Sequence, residues 1–290
     1  MRTLVTGAAG QLGLGVSRVF QKEGEVVALP HTQLDICDHE AVLEAAREVR
    51  PDTIVNCAAY NDVDGAESDP FSAMQVNGIG VRSLAAAARE VDATFVHYST
   101  DFVFDGTADR PYSESGSPGP QGVYATSKLL GEWFARGAPR HYVFRVESLF
   151  GGGSETIESD TKPLGSTLDR MVDALLAGRP VRGFTDRIVS PSYVPDVADA
   201  TRQLVVCRAA VGLYHCVNTG SATWFEVARA AAIRLKCEPL VFPITVSEVQ
   251  MPAARPGFCA LSNSKIISAG VTMPTWEDAL DRYLSTRCPD

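Results

Sequence analysis

The sequence predicts an α/β protein, a Rossmann-type doubly wound parallel sheet with a smaller mixed α/β domain at the C-terminal end. The first observation is that short β-branched segments alternate with amphipathic helical segments over the first two-thirds of the 290 residues. This pattern is typical of parallel strands joined by right-handed crossovers. The second is that the last third is mixed and irregular. We therefore expect one domain over residues 1–150, with return segments around 178–212, and a second over residues 151–290.

Apolar, β-branched runs mark the expected strands, and longer amphipathic runs mark the expected helices. The strands are predicted at 3–6, 25–29, 53–57, 93–98, 141–146, 181–184 and 212–217. The helices are predicted at 14–23, 39–49, 70–91, 124–136, 166–177, 223–236 (capped by Thr223) and 276–287, with a further one after Pro195. Residues 62–67 are predicted to be a polar loop, and the polar stretch 151–162 is the predicted mobile segment or lid.

A glycine-rich turn follows the first strand and precedes the first helix. Gly7 permits the tight turn, Gly10 lets backbone amides approach a diphosphate, and Gly13 allows the helix to pack closely on the strand. The diphosphate would rest on the free amides of the helix N-terminus, beside Gln11 and Leu12. Strand, glycine turn and helix together indicate a dinucleotide-binding site. The glycines are spaced three and three, so a purely structural loop is the alternative.

The end of the second strand bears on which cofactor is bound. An acidic residue there would hold the adenosine ribose and repel a 2′-phosphate, but this strand ends in Pro30-His31. That difference favours NADP(H), with NAD(H) as the alternative, and it makes His31 or Arg2 the expected neighbour of the phosphate. Residues 1–150 are thus expected to form an NAD(P)-binding Rossmann domain.

Further residues near the cofactor come from the second and third strands and the helix after them. Ala58 and Ala59, followed by Tyr60, are small residues at a strand end that would let the cofactor lie across the sheet. Asn77 is an amide inside an apolar helix, which we expect to be a satisfied polar group of the core. The other residues that we place beside the cofactor are Asp35, Ile36, Asn77 and Ser99, together with Tyr124 and Lys128.

The segment from residue 99 to residue 128 contains the candidate catalytic residues. Thr100 comes at the carboxyl end of an apolar strand, where open α/β sheets place their chemistry. Tyr124 and Lys128 are four residues apart on a predicted helix, which puts the phenol and the ammonium on one face. A lysine cation would lower the tyrosine pKa from ~10, and the Thr100 hydroxyl could donate to a carbonyl oxygen. A surface Tyr/Lys pair is the alternative.

Composition and charge exclude other classes of protein. A net charge of −9 argues against nucleic acid as a partner, because binding it needs a basic surface. We find no run of apolar residues long enough to cross a membrane and no signal-peptide pattern. The seven cysteines lack metal-ligand spacing. We therefore expect reduced thiols, no metal site and a cytoplasmic location.

Taken together, these motifs resemble the extended short-chain dehydrogenase/reductases, and more narrowly the dTDP-4-dehydrorhamnose reductase family. The sharpest match is Ser-Thr-Asp-Phe-Val-Phe-Asp-Gly at residues 99–106, whereas the Tyr-x-x-x-Lys at 124–128 is shared by the whole superfamily. The other matches run along nearly the entire chain, at residues 7–13, 34–36, 66–70, 77, 111–114, 131–132, 212–215 and 255–256.

The resemblance implies NAD(P)H-dependent reduction of a nucleotide-linked 4-keto-6-deoxyhexose, with a dTDP-linked sugar favoured. Hydride would come from the nicotinamide and the proton from Tyr124. Lys128 would bind the nicotinamide ribose, and Thr100 would polarise the keto oxygen. Asp101 is a further catalytic-site position, and Arg255 matches a family arginine near the nucleotide diphosphate. The C-terminal domain would bind the substrate, and the superfamily is compatible with a homodimer.

On the substrate side, the chain departs from the family pattern. The family has Arg-Thr-Ser-Trp-Val/Leu-Tyr-Gly after a strand, with the tryptophan facing the sugar. In this chain Ser148 stands at the tryptophan position and Glu147 precedes it, so a stacking surface is lost and a carboxylate is brought near. The residues that we expect to contact substrate are Phe102, Val103, Glu147, Ser148 and Arg255.

Two other functions stay open at this point. An epimerase or dehydratase of the same superfamily would hold its cofactor tightly and show no net consumption of it. A non-catalytic, NAD(P)-binding regulatory subunit would account for the altered residues 147–148. The complete set of Thr100, Tyr124 and Lys128 argues against that second alternative.

Overall fold

A six-stranded parallel sheet forms the centre of the computed structural model, which describes residues 1–152 and 165–288. Its order is β10-β5-β4-β3-β1-β2, and each neighbouring pair is parallel. In chain order the strands are β1 (Arg2–Thr6), β2 (Glu25–Leu29), β3 (Thr53–Asn56), β4 (Thr94–Thr100), β5 (His141–Val146), β6 (Leu149–Phe150), β7 (Val181–Phe184), β8 (Ile188–Val189), β9 (Ser192–Tyr193), β10 (Gly212–His215), β11 (Ala222–Thr223) and β12 (Val241–Ile244).

Helices connect and cover these strands. They are α1 (Gln11–Phe20), α2 (His39–Val49), α3 (Val63–Ser68), α4 (Pro70–Met74), α5 (Val81–Glu90), α6 (Val123–Ala135), α7 (Thr167–Leu176), α8 (Val194–Val206), α9 (Trp224–Arg234), α10 (Ser264–Ser268) and α11 (Trp276–Arg287). A π-helical turn (Gln75–Gly80) joins α4 to α5, and 3₁₀ turns occupy Asp101–Val103, Glu238–Leu240 and Val246–Glu248.

The strand order places a topological switch at β1. Thr6, its last residue, pairs with Leu29 of β2 on one side and with Asn56 of β3 on the other. The chain therefore leaves β1 first towards one edge of the sheet and then crosses to the other. In open α/β sheets such a switch forms a crevice outside the carboxyl ends of the strands, where ligands bind.

Both faces of the sheet are buried. One face carries an apolar cluster formed with α1 and α8, including Phe20 and Val197. The other carries a cluster formed with α2 and α5, including Val42 and Leu84. Strands covered on both sides have continuous apolar sequences rather than alternating ones, which is the pattern that allowed them to be predicted. The Rossmann-type fold is thus confirmed.

A second apolar core lies in the last third of the chain. It is built from α7, α9 and α11 and includes Leu168, Val227 and Leu280. Three two-stranded pairings surround it: β12 with β7, β6 with β9 and β11 with β8. Of the expected return segment 178–212, β7 contributes Val181 to this second core, whereas α8 packs on the sheet. The domain boundaries stay a prediction.

Two of the predicted elements differ in the structure. Residues 62–67 are not a loop, because Asp62 caps α3 by accepting a hydrogen bond from the Gly65 N–H at 3.1 Å. The predicted helix 70–91 is interrupted by the π-helical turn. There Gly131 of α6 lies so close that a Cβ on it would approach the Asn77 carbonyl oxygen to 2.3 Å.

None of the helices in residues 1–152 and 165–288 has the length and apolarity that a membrane-spanning helix requires. The predicted lid at 151–162 lies outside the described residues from residue 153 onward.

Candidate active site

Thr100, Tyr124 and Lys128 come together at the carboxyl end of β4. Thr100 is the last residue of β4, and α6 begins one residue before Tyr124 and carries Lys128 one turn further on. Thr100 and Lys128 are buried, while Tyr124 is half-buried. The Thr100 side chain is hydrogen-bonded with the Tyr124 phenol. Thr100 and Tyr124 are therefore in contact, and Lys128 follows one turn along the helix that carries Tyr124. That the three act as one catalytic site stays a prediction.

The pKa of Tyr124 is raised well above its usual value. Burial is the main cause and the charge of Asp101 adds to it, whereas the hydrogen bond with Thr100 works in the opposite direction. The Lys128 ammonium instead donates to the Tyr98 carbonyl oxygen at 2.6 Å. The prediction that Lys128 lowers this pKa is therefore wrong here. A phenol that keeps its proton at neutral pH is in the form that can donate one.

Burial acts on Lys128 as well. It lowers the pKa of the ammonium to about 8, and the negative charge of Glu132 opposes that shift. Removing an ammonium from water disfavours its charged form. Lys128 therefore stays predominantly charged only below about pH 8, and its position is fixed by the β4 backbone.

Next to Thr100, Asp101 belongs to a buried cluster. Its Oδ1 accepts a hydrogen bond from the Thr100 hydroxyl at 2.9 Å. One carboxylate oxygen of Asp101, one of Glu147 and the Cys259 Sγ all lie within 4.8 Å of one another. Burial raises the pKa of Asp101 to about 6, and the Arg187 guanidinium is among the groups that oppose the rise. The Thr100 hydroxyl thus connects Asp101 with the Tyr124 phenol.

Ser99 lies on the opposite side of β4 from Thr100, because successive strand residues point to opposite faces. Its hydroxyl donates to Glu132 Oε1 at 2.6 Å, and Glu132 forms a buried ion pair with Arg145. The side chain is therefore committed to this pair. A contact of Ser99 with the cofactor, which stays a prediction, would have to use its backbone.

The glycine-rich turn leaves the N-terminus of α1 open. Gly10 is the N-cap, no side chain of the described residues caps the helix, and its first turn has no acidic residue. Within residues 1–152 and 165–288, a Cβ on Gly10 would have only the Gly7 carbonyl oxygen nearby, at 3.4 Å. Gln11 borders this end of the helix and donates to Asp169 at 3.0 Å. Free amides beside open space at a helix N-terminus fit the diphosphate of a dinucleotide.

The surroundings of β2 bear on the adenosine end of the cofactor. The Ala8 N–H donates to the Leu29 carbonyl oxygen at 3.3 Å, which brings exposed His31 close to the glycine turn. Arg2 lies at the amino end of β1 and pairs with Glu25 at 2.7 Å. Arg2 is thus at the amino ends of the strands, whereas the glycine turn is at their carboxyl ends. The expectation that Arg2 neighbours the cofactor phosphate is therefore wrong.

Asp35 and Ile36 have structural contacts. Asp35 accepts a hydrogen bond from the Cys37 N–H at 2.9 Å, and Ile36 is buried in the core on the α2–α5 face. Ala58, Ala59 and Tyr60 follow β3 at the carboxyl edge and are half-buried. Their contacts with a cofactor stay a prediction, as does that of Leu12.

Asn77 has every polar atom of its side chain engaged. Its Oδ1 accepts from the Tyr60 N–H at 2.9 Å, and its Nδ2 donates to the Tyr60 carbonyl oxygen at 3.0 Å and to Ser127 Oγ at 2.9 Å. It behaves as the satisfied core amide that the sequence predicts. It also links the segment after β3 to the helix that carries Tyr124.

A small cleft adjoins Tyr124. Phe102 lines it, with its ring edge-on to the Tyr124 ring and the centroids 5.9 Å apart. Val103, in contrast, is fully buried in a core cluster with Phe104. The Phe102 side chain therefore faces the cleft and the Val103 side chain faces the core. Contact of either residue with a substrate stays a prediction.

Arg255 lies near the same cleft but is already paired. Its guanidinium is 2.9 Å from Asp64 of α3 and donates to the Ala253 carbonyl oxygen at 3.0 Å. Part of its positive charge is thus neutralised. Asp64 and Glu67 of α3 are not among the predicted site residues, and Glu67 Oε1 accepts a hydrogen bond from the Val123 N–H at 2.8 Å. The motif at 66–70 contains Glu67 and was a signal for it, but the sequence holds no such signal for Asp64.

The two departures from the family pattern lie just after β5. Glu147 is 2% exposed and accepts the Ser190 N–H at 2.8 Å, so its carboxylate is inside the protein. Ser148 is half-buried and has a φ of +47°. Neither side chain lines the cleft beside Tyr124, and their contact with substrate stays a prediction. Arg187 and Cys259, beside Glu147, had no signal in the sequence.

Comparison with known proteins gives a consistent result. The chain matches the family model described as the RmlD substrate binding domain over residues 1–288. The spore coat polysaccharide biosynthesis protein SpsK of Bacillus subtilis is 34% identical, over 99% of this chain and 98% of its own. The dTDP-4-dehydrorhamnose reductase of Mycobacterium tuberculosis is 37% identical, over 98% of this chain and 92% of its own.

Solved structures agree in fold. A dTDP-4-dehydrorhamnose reductase of Clostridium acetobutylicum has a TM-score of 0.91 at 30% identity, with 99% of both chains covered. One of Bacillus anthracis, in complex with NADP, has a TM-score of 0.90 at 31% identity, covering 98% of this chain and 99% of its own. A UDP-glucose 4-epimerase of Thermus thermophilus, at 23% identity and a TM-score of 0.79 over 98% of this chain and 99% of its own, shares the fold alone.

Proposed function

The chain belongs to the RmlD family, which includes dTDP-4-dehydrorhamnose reductases, and on this premise we propose that it is an NADPH-dependent reductase of a nucleotide-linked 4-keto-6-deoxyhexose. The observation that carries the proposal is the joining of Thr100, Tyr124 and Lys128 beside a cleft at the carboxyl end of the sheet. A dTDP-linked sugar is favoured because relatives that are 35% and 37% identical over nearly the whole chain are named for that substrate.

Each residue has a role that its position supports. Tyr124, whose phenol stays protonated because its pKa is raised, gives its proton to the oxygen of the former ketone. The Thr100 hydroxyl proton, which is donated to Asp101 Oδ1 in this structure, turns to that oxygen when substrate is bound and polarises it. Lys128, fixed on the Tyr98 carbonyl oxygen, binds the nicotinamide ribose. Asp101 positions the Thr100 hydroxyl by accepting its hydrogen bond.

NADP(H) fits the residues around the glycine turn, with NAD(H) as the alternative. The uncapped N-terminus of α1 and the open space beside Gly10 suit a diphosphate. The residues after β2 include no acidic side chain until Asp35, and His31 stands where a 2′-phosphate would be close. The reduced nicotinamide supplies the hydride that the ketone carbon accepts.

The other functions are not favoured. The epimerase and dehydratase structures that share the fold are 23% and 20% identical to this chain, whereas two of the curated reductases are 35% and 37% identical. A non-catalytic subunit has no need of a complete proton-donor set. Glu147, one of the two residues that depart from the family pattern, is buried and does not line the cleft beside Tyr124. Its substitution therefore leaves that cleft unchanged.

The test is to mix the protein with NADPH and a dTDP-4-keto-6-deoxyhexose and to follow the absorbance of reduced nicotinamide. We expect steady consumption by the wild-type protein. Tyr124→Phe should lower kcat by ~10²–10⁴-fold, as loss of a general acid does, while NADPH binding measured by fluorescence is unchanged.

Tyr142→Phe is the matched control, because that phenol donates to the Ala209 carbonyl oxygen at 2.6 Å, at the amino end of β5 and away from the site. It should retain full turnover. If Tyr124→Phe keeps wild-type turnover, the assignment of the proton donor is wrong.

Two further features belong to the proposal. The protein acts in the cytoplasm, which its seven free cysteines support. It forms a homodimer through the groove between α5 and α6, here called the α5–α6 groove. Exposed apolar side chains in that groove, Ile79 and Trp133 at 38% and 61% exposure, support this assembly.

A further inference from the structure

The proposed reaction leaves unused a closed cluster of titratable groups behind Thr100. Its members are Asp101, Glu147, Cys259 and Arg187, which are 4%, 2%, 1% and 9% exposed. A carboxylate oxygen of Asp101, a carboxylate oxygen of Glu147 and the Cys259 Sγ lie within 4.8 Å of one another. They come from separate segments of the chain, so the cluster is assembled only by the fold.

The hydrogen bonds of the two carboxyl groups are incomplete. Asp101 Oδ1 accepts from Thr100, and Glu147 Oε2 accepts from the Ser190 N–H. Glu147 Oε1 has no hydrogen-bond partner in the described residues, and Asp101 Oδ2 has none there apart from the neighbouring Cys259 thiol. Each carboxyl group therefore has one oxygen available for a proton.

The charge in the cluster favours a retained proton. Two ionised carboxylates would face a single cation, Arg187, among the described residues in a buried site, which disfavours double ionisation. Burial raises the pKa of both groups, to about 6 for Asp101 and well above the usual value for Glu147, where the charge of Asp101 adds to the rise. Glu147 is thus the member that carries the proton when Asp101 is ionised.

We propose that Asp101 and Glu147 hold one proton between them and that this proton is returned to Tyr124 through Thr100 after each turnover. The proposal rests on the proposed reductase function and deepens it. It makes Glu147, which the sequence placed against the substrate, a positioning residue that acts through Asp101.

Protons and bonds balance over the step. The alkoxide formed by hydride transfer takes the Tyr124 proton, so an O–H bond forms on the product and the phenol becomes a phenolate. The phenolate takes the Thr100 hydroxyl proton while the Thr100 oxygen takes the proton of the pair from Asp101. Glu147 passes that proton to Asp101 when the two carboxyl groups, which lie within 4.8 Å of each other without a hydrogen bond in this structure, close to hydrogen-bond distance. The pair is then doubly ionised, and it regains one proton from solvent before the next cycle.

Three other charged or titratable groups face the pair, namely the Arg187 guanidinium, Tyr124 and Cys259. The pKa of the Tyr124 phenol and that of the Cys259 thiol are raised by burial, so both groups stay protonated between turnovers. The pair is therefore the group that titrates. Because the active form carries the proton, turnover should fall as pH rises through the upper pKa of the pair.

The experiment compares the first turnover with later ones in Glu147→Gln. Glutamine keeps the size and can donate to Asp101 but has no proton to release. The first turnover uses the proton already on Tyr124, so stopped-flow oxidation of one equivalent of NADPH should match the wild-type rate. Steady-state kcat should then fall ~100-fold, the lower end of the range for lost proton transfer, with KM unchanged. The fall in turnover that belongs to the pair should disappear from the pH profile, whereas the one that Lys128 causes above about pH 8 should remain.

Glu48→Gln, at an exposed position of α2, should match wild type in both phases, and Glu147→Asp should restore part of kcat. A Glu147→Gln protein that slows the first turnover as much as the later ones would show a merely structural role and overturn the proposal. So would a metal ion that co-purifies with the protein and is lost from Glu147→Gln.

A second measurement does not depend on turnover. At neutral pH the infrared difference between wild type and Glu147→Gln should contain the C=O band of a protonated carboxylic acid. Its absence would overturn the shared proton even in an active reductase. If the band is present but no NADPH is consumed, the proposed function has failed and the shared proton has not.

Discussion

Burial moves the two candidate catalytic side chains in opposite directions along the pH scale. It raises the pKa of the Tyr124 phenol and lowers that of the Lys128 ammonium to about 8, because each group loses stability in its charged form when water is removed. For a reductase this is the useful direction at the phenol. A donor must hold its proton until the substrate oxygen becomes a stronger base.

A buried ion pair fixes the helix that presents these side chains. Glu132 of α6 and Arg145 of β5 are 1% and 2% exposed and make two hydrogen bonds, at 2.7 and 2.8 Å. The Arg145 guanidinium also lies 4.8 Å from the centre of the Phe104 ring. Because Lys128 is one turn before Glu132 on α6, this pair sets the depth of the catalytic helix on the sheet.

Removing one partner of this pair should cost far more than removing both. Arg145→Met leaves the Glu132 carboxylate buried without its hydrogen-bonded cation, and we expect a loss of ~3–5 kcal/mol in the free energy of unfolding. The double variant Arg145→Met/Glu132→Leu should recover most of that loss, since neither member of the ion pair is left buried alone. Urea unfolding of the wild type, both single variants and the double variant measures this cycle. A single variant within ~1 kcal/mol of wild type would mean that water or another cation reaches Glu132.

At the scale of elements, the N-terminus of α1 separates packing from binding. A Cβ on Gly13 would lie 2.4 Å from the Gly7 carbonyl oxygen and 2.8 Å from Ala8 Cα, so the turn itself would have to move. In the part of the chain that the structure describes, a Cβ on Gly10 meets nothing closer than 3.4 Å. The same substitution at two glycines of one turn should therefore have different consequences.

Gly10→Ala should fold normally and bind NADPH poorly. The methyl group costs less than about 1 kcal/mol at an N-cap, but it stands over the amides proposed for the diphosphate and should raise the NADPH Kd ~10-fold, or about 1.4 kcal/mol. Gly13→Ala should instead lose ~1–3 kcal/mol of stability through overpacking. Thermal unfolding and fluorescence titration distinguish the two. Unchanged NADPH affinity in Gly10→Ala would place the diphosphate elsewhere.

The elements that could be predicted from sequence are those whose signal is local. β2 and β5 have the predicted bounds because each is rich in β-branched or aromatic residues. Thr223 caps α9 as predicted, and the structure adds a reciprocal bond between Glu226 and the backbone of Thr223. Strands such as β6 could not be predicted, because so short a segment has no periodicity and pairs only with a distant segment. α3 could not be predicted because its short sequence is mostly polar and has no apolar periodicity. The helix begins with the Asp62 cap.

The candidate site divides in the same way. Thr100, Tyr124 and Lys128 lie within one short stretch of the chain, so strand end and helix spacing were enough to predict their meeting. The cluster around Glu147 could not be predicted, because Arg187 and Cys259 reach it from the second half of the chain. A motif shows its own residues but not the residues that burial brings next to them.

At the scale of the whole molecule, the site lies between two cores. Helix α6, which packs on the sheet, carries Tyr124. The segment containing Arg255 lies beside the same cleft and is held there by the ion pair between Arg255 and Asp64. The link between Gln11 and Asp169 ties the glycine turn to α7 of the second core. Cofactor and substrate would thus meet where the two parts of the chain are held together by polar contacts rather than by one continuous apolar core.

The proposed homodimer makes a prediction at this scale. Ile79 and Trp133 face solvent in the α5–α6 groove, flanked by Arg82 and Arg89, and tryptophan and arginine are among the residues that contribute most to protein interfaces. Light scattering after size exclusion should give twice the chain mass for wild type. Trp133→Glu should give a monomer, because loss of such a residue costs at least ~2 kcal/mol, roughly 30-fold in Kd.

The control for this test is a charge introduced at an exposed apolar residue elsewhere. Ile267 of α10 is 45% exposed and lies outside the α5–α6 groove, so Ile267→Glu should stay dimeric. A wild-type protein that is monomeric at micromolar concentration, or a Trp133→Glu protein that remains dimeric, would remove the α5–α6 groove as the interface. Since Trp133 is on the same helix as Tyr124 but on its outer side, the monomeric variant should still bind NADPH, which separates assembly from the chemistry of the site.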